Sequence, residues 1–148
     1  MLLETLIALY KRDLNKLKKE IESYQNENAI WHIEKGIANS AGNLCLHLVG
    51  NLNTYVGATL GNTNYTRQRE LEFSLKDIPR VELIKKIDDT LAVVETTLKK
   101  LTNEEIKNEY PILIFENKTS TEYLLVHLAT HLNYHLGQIN YHRRLLDN

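Results

Sequence analysis

The chain has 148 residues, 25% of them charged, and a formal net charge of −1. That length suits one domain, long enough to bury roughly two-thirds of its unfolded surface. The balanced charge offers no general attraction to a phosphate backbone, so nucleic acid is excluded as the expected partner.

The opening, MLLETLIALYKRDL, has no basic region ahead of its apolar residues and no small-residue cleavage site. It reads as the first turns of a helix and not as a signal peptide. Leu3, Ile7, Tyr10, Leu14, Leu17, Ile21 and Tyr24 recur at three- and four-residue steps among charged residues. This is an amphipathic first helix, broken by QNENAIWHIEKGIANS. Ser40 is the expected N-cap of a second helix over residues 40–60, ending near Gly61. Residues 61–78, GNTNYTRQRELEFSLKDI, form a long connector with no sustained period. Pro79 suits the first turn of a third helix, whose stripe is Ile84, Ile87, Leu91, Val94, Leu98 and Leu101. Thr102 with Glu105 caps a short extension that stops before Pro111. Thr119 with Glu122 reads as a second capping box, opening a fourth helix over residues 120–146. The expected fold is all-α, a four-helix bundle. Bundle neighbours that run antiparallel need only short loops. The longer 61–78 connector leaves room to cross the bundle, so that helices two and three run parallel.

Two stretches, Gly36–Thr66 and Tyr123–His142, contain no Asp, Glu, Lys or Arg. A bundle helix with one wet face carries charges there, so helices two and four are expected to be buried on more than one side. The second is about long enough to span a bilayer. Asn43, His47, Asn51, Asn53 and Thr54 argue against it, because unpaired polar groups are costly in lipid. Asn43, His47, Asn51 and Thr54 lie within about 40° of one line, and Cys45, Val49, Leu52 and Val56 lie opposite. Two uncharged stripes suggest two burial partners: the bundle interior and a second subunit. A homodimer packed through the outer side of helix two is the expectation. Cover by other parts of the same chain is the alternative.

Four of the six histidines fall in HLATHLNYHLGQINYHRR, residues 127–144. On a helix, positions i and i+4 are about 40° apart in azimuth and ~6 Å apart in height. Two imidazoles so placed can converge on one ion, as in helical zinc sites. His127/His131 and His131/His135 both satisfy this spacing. His47 is the only histidine well inside another helix and would complete a three-histidine set. Three neutral ligands leave an open coordination position, the arrangement of a catalytic and not a closed structural site. The plainer reading is a row of hydrogen-bonded core histidines.

The remaining polar and reactive residues point less sharply. Cys45, the only cysteine, lies about 160° around the helix from His47 and reads as a small core residue. With no disulfide possible, a reducing, cytoplasmic setting is expected. His142 continues the stripe one or two turns beyond the pair. His32 sits in a loop beside Trp31. Arg67 and Arg69 lie in the connector, where they would grip an anion or simply be solvated. Glu34 is the acidic group nearest helix two in sequence.

HLATHLNYHLGQI, together with the mid-helix histidine of NLCLHLVGNL, resembles the DinB/YfiT-like superfamily of small four-helix proteins. The resemblance covers nearly the whole chain, and YTRQRELEF in the connector is similar to a branch of unassigned function. It implies an up-down-down-up bundle and places the metal ligands at His47, His131 and His135, leaving His127 as an extra residue. Characterised members include metal-dependent transferases that use low-molecular-weight thiols such as bacillithiol and mycothiol. The implied function is transfer of such a thiol to a small-molecule electrophile. A noncatalytic metal-binding dimer and a metal-dependent hydrolase are the alternatives. Zinc or nickel is expected ahead of iron, cobalt, copper or manganese. Asn43, Asn51 and Gln138 are positioned to fix the imidazole tautomers.

Overall fold

The computed structural model describes residues 1–148, with no β-strand and only two isolated bridges. The long helices are α1 (Leu2–Ser23), α2 (Ala41–Leu52), α5 (Arg80–Lys100) and α6 (Thr121–Leu146). α2 continues through a π-helical turn, Asn53–Ala58, into a last turn, α3 (Thr59–Gly61). The connector carries a short helix, α4 (Arg69–Ser74). No helix is long and apolar enough to cross a membrane.

Local chemistry sets these boundaries. Ser40 caps α2, its hydroxyl accepting from Asn43 N–H at 3.1 Å. Pro79 sits at the N-cap of α5, and its carbonyl accepts from Glu82 and Leu83. Thr102 and Glu105 form a reciprocal capping box, with bonds of 2.7 and 3.1 Å, but it opens only a 3₁₀ turn, Glu105–Lys107. At α6 the cap is Ser120, one residue beyond the expected Thr119. The carbonyl of Thr119 is instead committed to a bridge with Tyr110 N–H.

The π turn has a local cause. The Asn53 side chain donates to the Val49 carbonyl at 2.8 Å, and the Thr54 hydroxyl to that of Gly50 at 2.7 Å. These side chains compete with backbone donors for the carbonyls one turn back, and one extra residue enters the turn.

A core of 29 buried apolar residues joins the long helices. Lys18 pairs with Asp88 and Lys11 with Glu95 between α1 and α5, so the numbering runs in opposite senses. Asp13 meets Asn133, and Glu20 meets Asn140 and Arg143, so α1 and α6 rise together. Asn53 bonds Thr90, Gly57 abuts Val93 and Gly61 abuts Thr97, so α2–α3 and α5 also rise together.

The cover of α2 comes from this chain. Every residue of Ala41–Leu52 is buried within this chain. Cys45, Val49, Leu52 and Val56, one of the two uncharged stripes, are covered internally. α4, α5 and α6 all pack on α2, so the missing charge reflects enclosure by the chain's own elements, the connector helix among them.

Candidate metal centre

Three of the four candidate histidines meet. α2 presents His47, and α6 presents His131 and His135. His131 Nε2 lies 3.2 Å from His47 Nε2 and 3.2 Å from His135 Nε2. One ligating nitrogen from each falls within 4.8 Å of the others, and no other His, Cys, Asp or Glu joins the group. His127 stays out: its ring stacks 6.4 Å from that of His131 and is met edge-on by Phe115 at 4.8 Å.

Neighbouring side chains decide which nitrogen faces inward. His47 Nδ1–H donates to Glu72 Oε1 at 3.0 Å. A buried carboxylate ion only accepts, so the proton is on Nδ1 and the Nε2 lone pair points at the cluster. His135 Nδ1–H donates to Gln138 Oε1 at 2.7 Å, with the same result. His131 Nδ1 is buried without a partner. Two fixed lone pairs thus converge beside a third imidazole, an arrangement that repels itself unless a proton or a cation sits among them. Zinc–nitrogen bonds of about 2.0–2.1 Å in a tetrahedron separate ligand nitrogens by roughly 3.3–3.4 Å, close to the two 3.2 Å spacings that His131 makes. The residues fit a divalent ion.

Glu72 was not singled out by its sequence context. It comes from α4 and is held by Arg67, whose Nε and Nη2 donate to its two oxygens at 2.9 and 3.0 Å. Glu72 is buried, and it lies against α2 at Gly50, where a Cβ would overlap its carboxylate. Asn43 fastens the same segment, donating to the carbonyls of Glu72 and Leu75 at 2.9 and 2.8 Å. Phe73 packs against the His47 ring at 5.0 Å. The connector thus reaches His47 through a carboxylate, and the anion that Arg67 grips belongs to the chain itself. Arg69 stacks over Phe73.

Other expectations divide. Gln138 does orient an imidazole, but Asn43 anchors α4 and Asn51 makes no bond to His47; its side-chain oxygen is buried without a partner. His142 is a structural tie: Nε2–H donates to the His32 carbonyl at 2.8 Å and Nδ1 accepts from the Tyr24 hydroxyl at 2.7 Å. His32 pairs with Glu34 at the surface, away from the cluster. Cys45 is a core residue.

Burial pushes the His131 pKa down to about 4, helped by the neighbouring His135, His47 and His127 rings. Burial also lowers His47, against the opposing pull of Glu72, and lowers His142. His47 and His131 are therefore neutral near pH 7, the state a ligand needs. The folded pKa values lie below the ordinary value of about 6.5, so the unfolded chain binds more protons in acid. These histidines contribute stability that is present above pH ~6.5 and lost as pH falls toward about 4. Metal-free protein should show a lower urea midpoint at about pH 5 than at about pH 7.5, with the slope unchanged. A midpoint that rose on acidification would contradict this.

A cavity of about 440 Å³ opens beside His135, between residues 36–39 and the C-terminal half of α6. Tyr134, Gln138, Tyr141 and Leu44 are among the residues lining it, and none of its lining residues is Asp, Glu, Lys or Arg. No curated protein matches the chain. A family model described as protein of unknown function, DUF1572, matches residues 2–148, and the chain therefore belongs to that family.

Proposed function

We propose that this protein is a divalent-metal enzyme that transfers a low-molecular-weight thiol to a small electrophile. His47, His131 and His135 hold the ion in a single up-down-down-up four-helix domain of the DinB type. The observation that carries the reading is the convergence of three Nε2 atoms, two of them fixed as lone pairs by Glu72 and Gln138. The cross-helix pairs support the helix order: α1 rises with α6 and against α5, and α2 rises with α5.

A bound divalent ion with an open position supplies Lewis acidity, which makes a water or a thiol a stronger nucleophile at neutral pH. The chain's own residues do the rest. Glu72 and Gln138 orient the ligand rings, and Arg67 holds Glu72 in place. The uncharged cavity beside His135 admits a small molecule and limits its hydration. The nearest carboxylate, Glu72, is committed to His47 and Arg67 and is not free to accept a proton from water. That favours a thiol, itself a strong nucleophile once ionised, over hydrolysis.

The test is turnover by zinc- and nickel-loaded protein with a panel of thiols, bacillithiol and mycothiol included, and electrophilic substrates. Loss of an electrophile that needs both thiol and metal is expected. Rates equal to those of metal-free protein across the panel would favour the noncatalytic alternative. A chelator separates the two as well. Twenty-nine buried apolar residues join the helices without the ion, so stripping it should leave helical circular dichroism unchanged. A purely structural ion would take the fold with it.

A further inference from the structure

Two arginines of the connector crowd the side of His47 that faces away from the other imidazoles. Arg67 Nη2 stands 3.4 Å from His47 Nδ1. Arg69 lies over the Phe73 ring, its guanidinium carbon 5.5 Å from the ring centre, and that ring packs 5.0 Å from the ring of His47. Arg67 spends Nε and Nη2 on Glu72, which leaves Nη1 unbonded. Arg69 is exposed and forms no ion pair, although Glu70 follows it in the chain. A cation–π contact restrains a guanidinium without using its N–H donors, so the planar fork stays available to an oxyanion. We propose that Arg69, with the free Nη1 of Arg67, forms an oxyanion subsite beside the metal centre, and that this subsite receives the carboxylate of the thiol co-substrate. The proposal rests on the thiol-transfer reading above and narrows it to thiols that carry an acid group.

Charge balance favours an anion at this place. Glu72 offsets one of the two arginines, and no other Asp or Glu joins the three histidines. Imidazoles that bind a metal are neutral. A divalent ion adds two positive charges, so the loaded centre carries a surplus of three. An ionised thiol cancels one of them, and a carboxylate on the same molecule cancels a second. The cavity beside His135 offers no such match, because none of its lining residues is charged. It suits an uncharged electrophile and gives a carboxylate no partner. The reactants are thus divided between two sides of the centre, the acid-bearing thiol along the connector and the neutral partner along α6.

Calorimetric titration of the zinc-loaded full chain with N-acetylcysteine and with its amide tests the subsite. The two probes share a thiol and differ in the carboxylate. The acid should bind about fivefold more tightly than the amide, the upper end for an exposed ion pair. Arg69→Gln should remove most of that preference and leave the affinity for the amide and the zinc content unchanged. Arg69→Glu should reverse the preference. Lys85→Gln, which removes the same charge from an exposed pair on α5, should preserve it. N-acetylalanine, which has the carboxylate and no thiol, should bind far more weakly than N-acetylcysteine. Equal affinity for acid and amide, a preference that survives Arg69→Gln, or N-acetylalanine matching N-acetylcysteine would overturn the subsite and leave the metal centre standing. A chain that retains no zinc overturns the metal centre and the subsite together.

Discussion

Alanine at His47, His131 or His135 is expected to abolish stoichiometric zinc, whereas His127→Ala retains it. The Nε2 atoms of His47 and His135 each lie 3.2 Å from that of His131, and the three ligating nitrogens fall within 4.8 Å of one another. The fourth packs against Phe115 instead. Losing one imidazole of three removes a ligand outright, so the affinity loss should exceed the 10–100-fold typical of outer groups. The helices are held together by 29 buried apolar residues that the substitutions leave in place, so the variants should fold. Metal analysis after dialysis, with circular dichroism on the same samples, decides the matter. Full zinc content in any of the first three variants, or loss of zinc in His127→Ala, would break the assignment.

The second large effect is expected at Glu72. Alanine there frees the His47 ring and strands Arg67, a half-enclosed cation with no other carboxylate bonded to it. Removing one member of a buried pair costs about 3–5 kcal/mol, and Arg67 keeps enough solvent to place this case near about 3 kcal/mol. Metal affinity should fall by about 10–100-fold. Glu72→Gln preserves shape and an acceptor oxygen, so its metal loss should lie near the low end of that range. Gly50→Ala offers an independent route, because its methyl group would displace the carboxylate while leaving every histidine untouched. Chelator competition and urea titration read the two effects. Unchanged affinity in both Glu72→Ala and Gly50→Ala would remove Glu72 from the metal centre.

What could be read in the sequence was local. The Ser40 cap, the stripes of α1 and α5 and the i,i+4 histidines follow from spacing along one helix, and the Gln138 bond to His135 is a contact within one turn. The errors came from the connector. α4 is six residues long, too short to show a period, so residues 61–78 gave no hint of a helix carrying a buried acid. Without it, the uncharged second helix leaves open whether the chain itself or a second subunit covers it. Its actual cover is α4, fastened by Asn43, which explains why that asparagine serves the connector and not an imidazole. The choice of His135 over His127 as His131's companion likewise depends on where α2 brings His47, a relation between distant segments that spacing leaves open. The shift from Thr119 to Ser120 has the same origin, since the bridge to Tyr110 claims the earlier residue.

The π turn at Asn53–Ala58 divides the second rod into two halves with separate duties. Upstream, it aims a ring at α6; downstream, Gly57 and Gly61 nestle against Val93 and Thr97. Deleting one residue from that turn would restore ordinary winding and swing everything after it by about 100°. The two glycines would lose their seats while residue 47 kept its bearing. Length variation at this point is therefore a means of retuning how the far end docks without disturbing the near end.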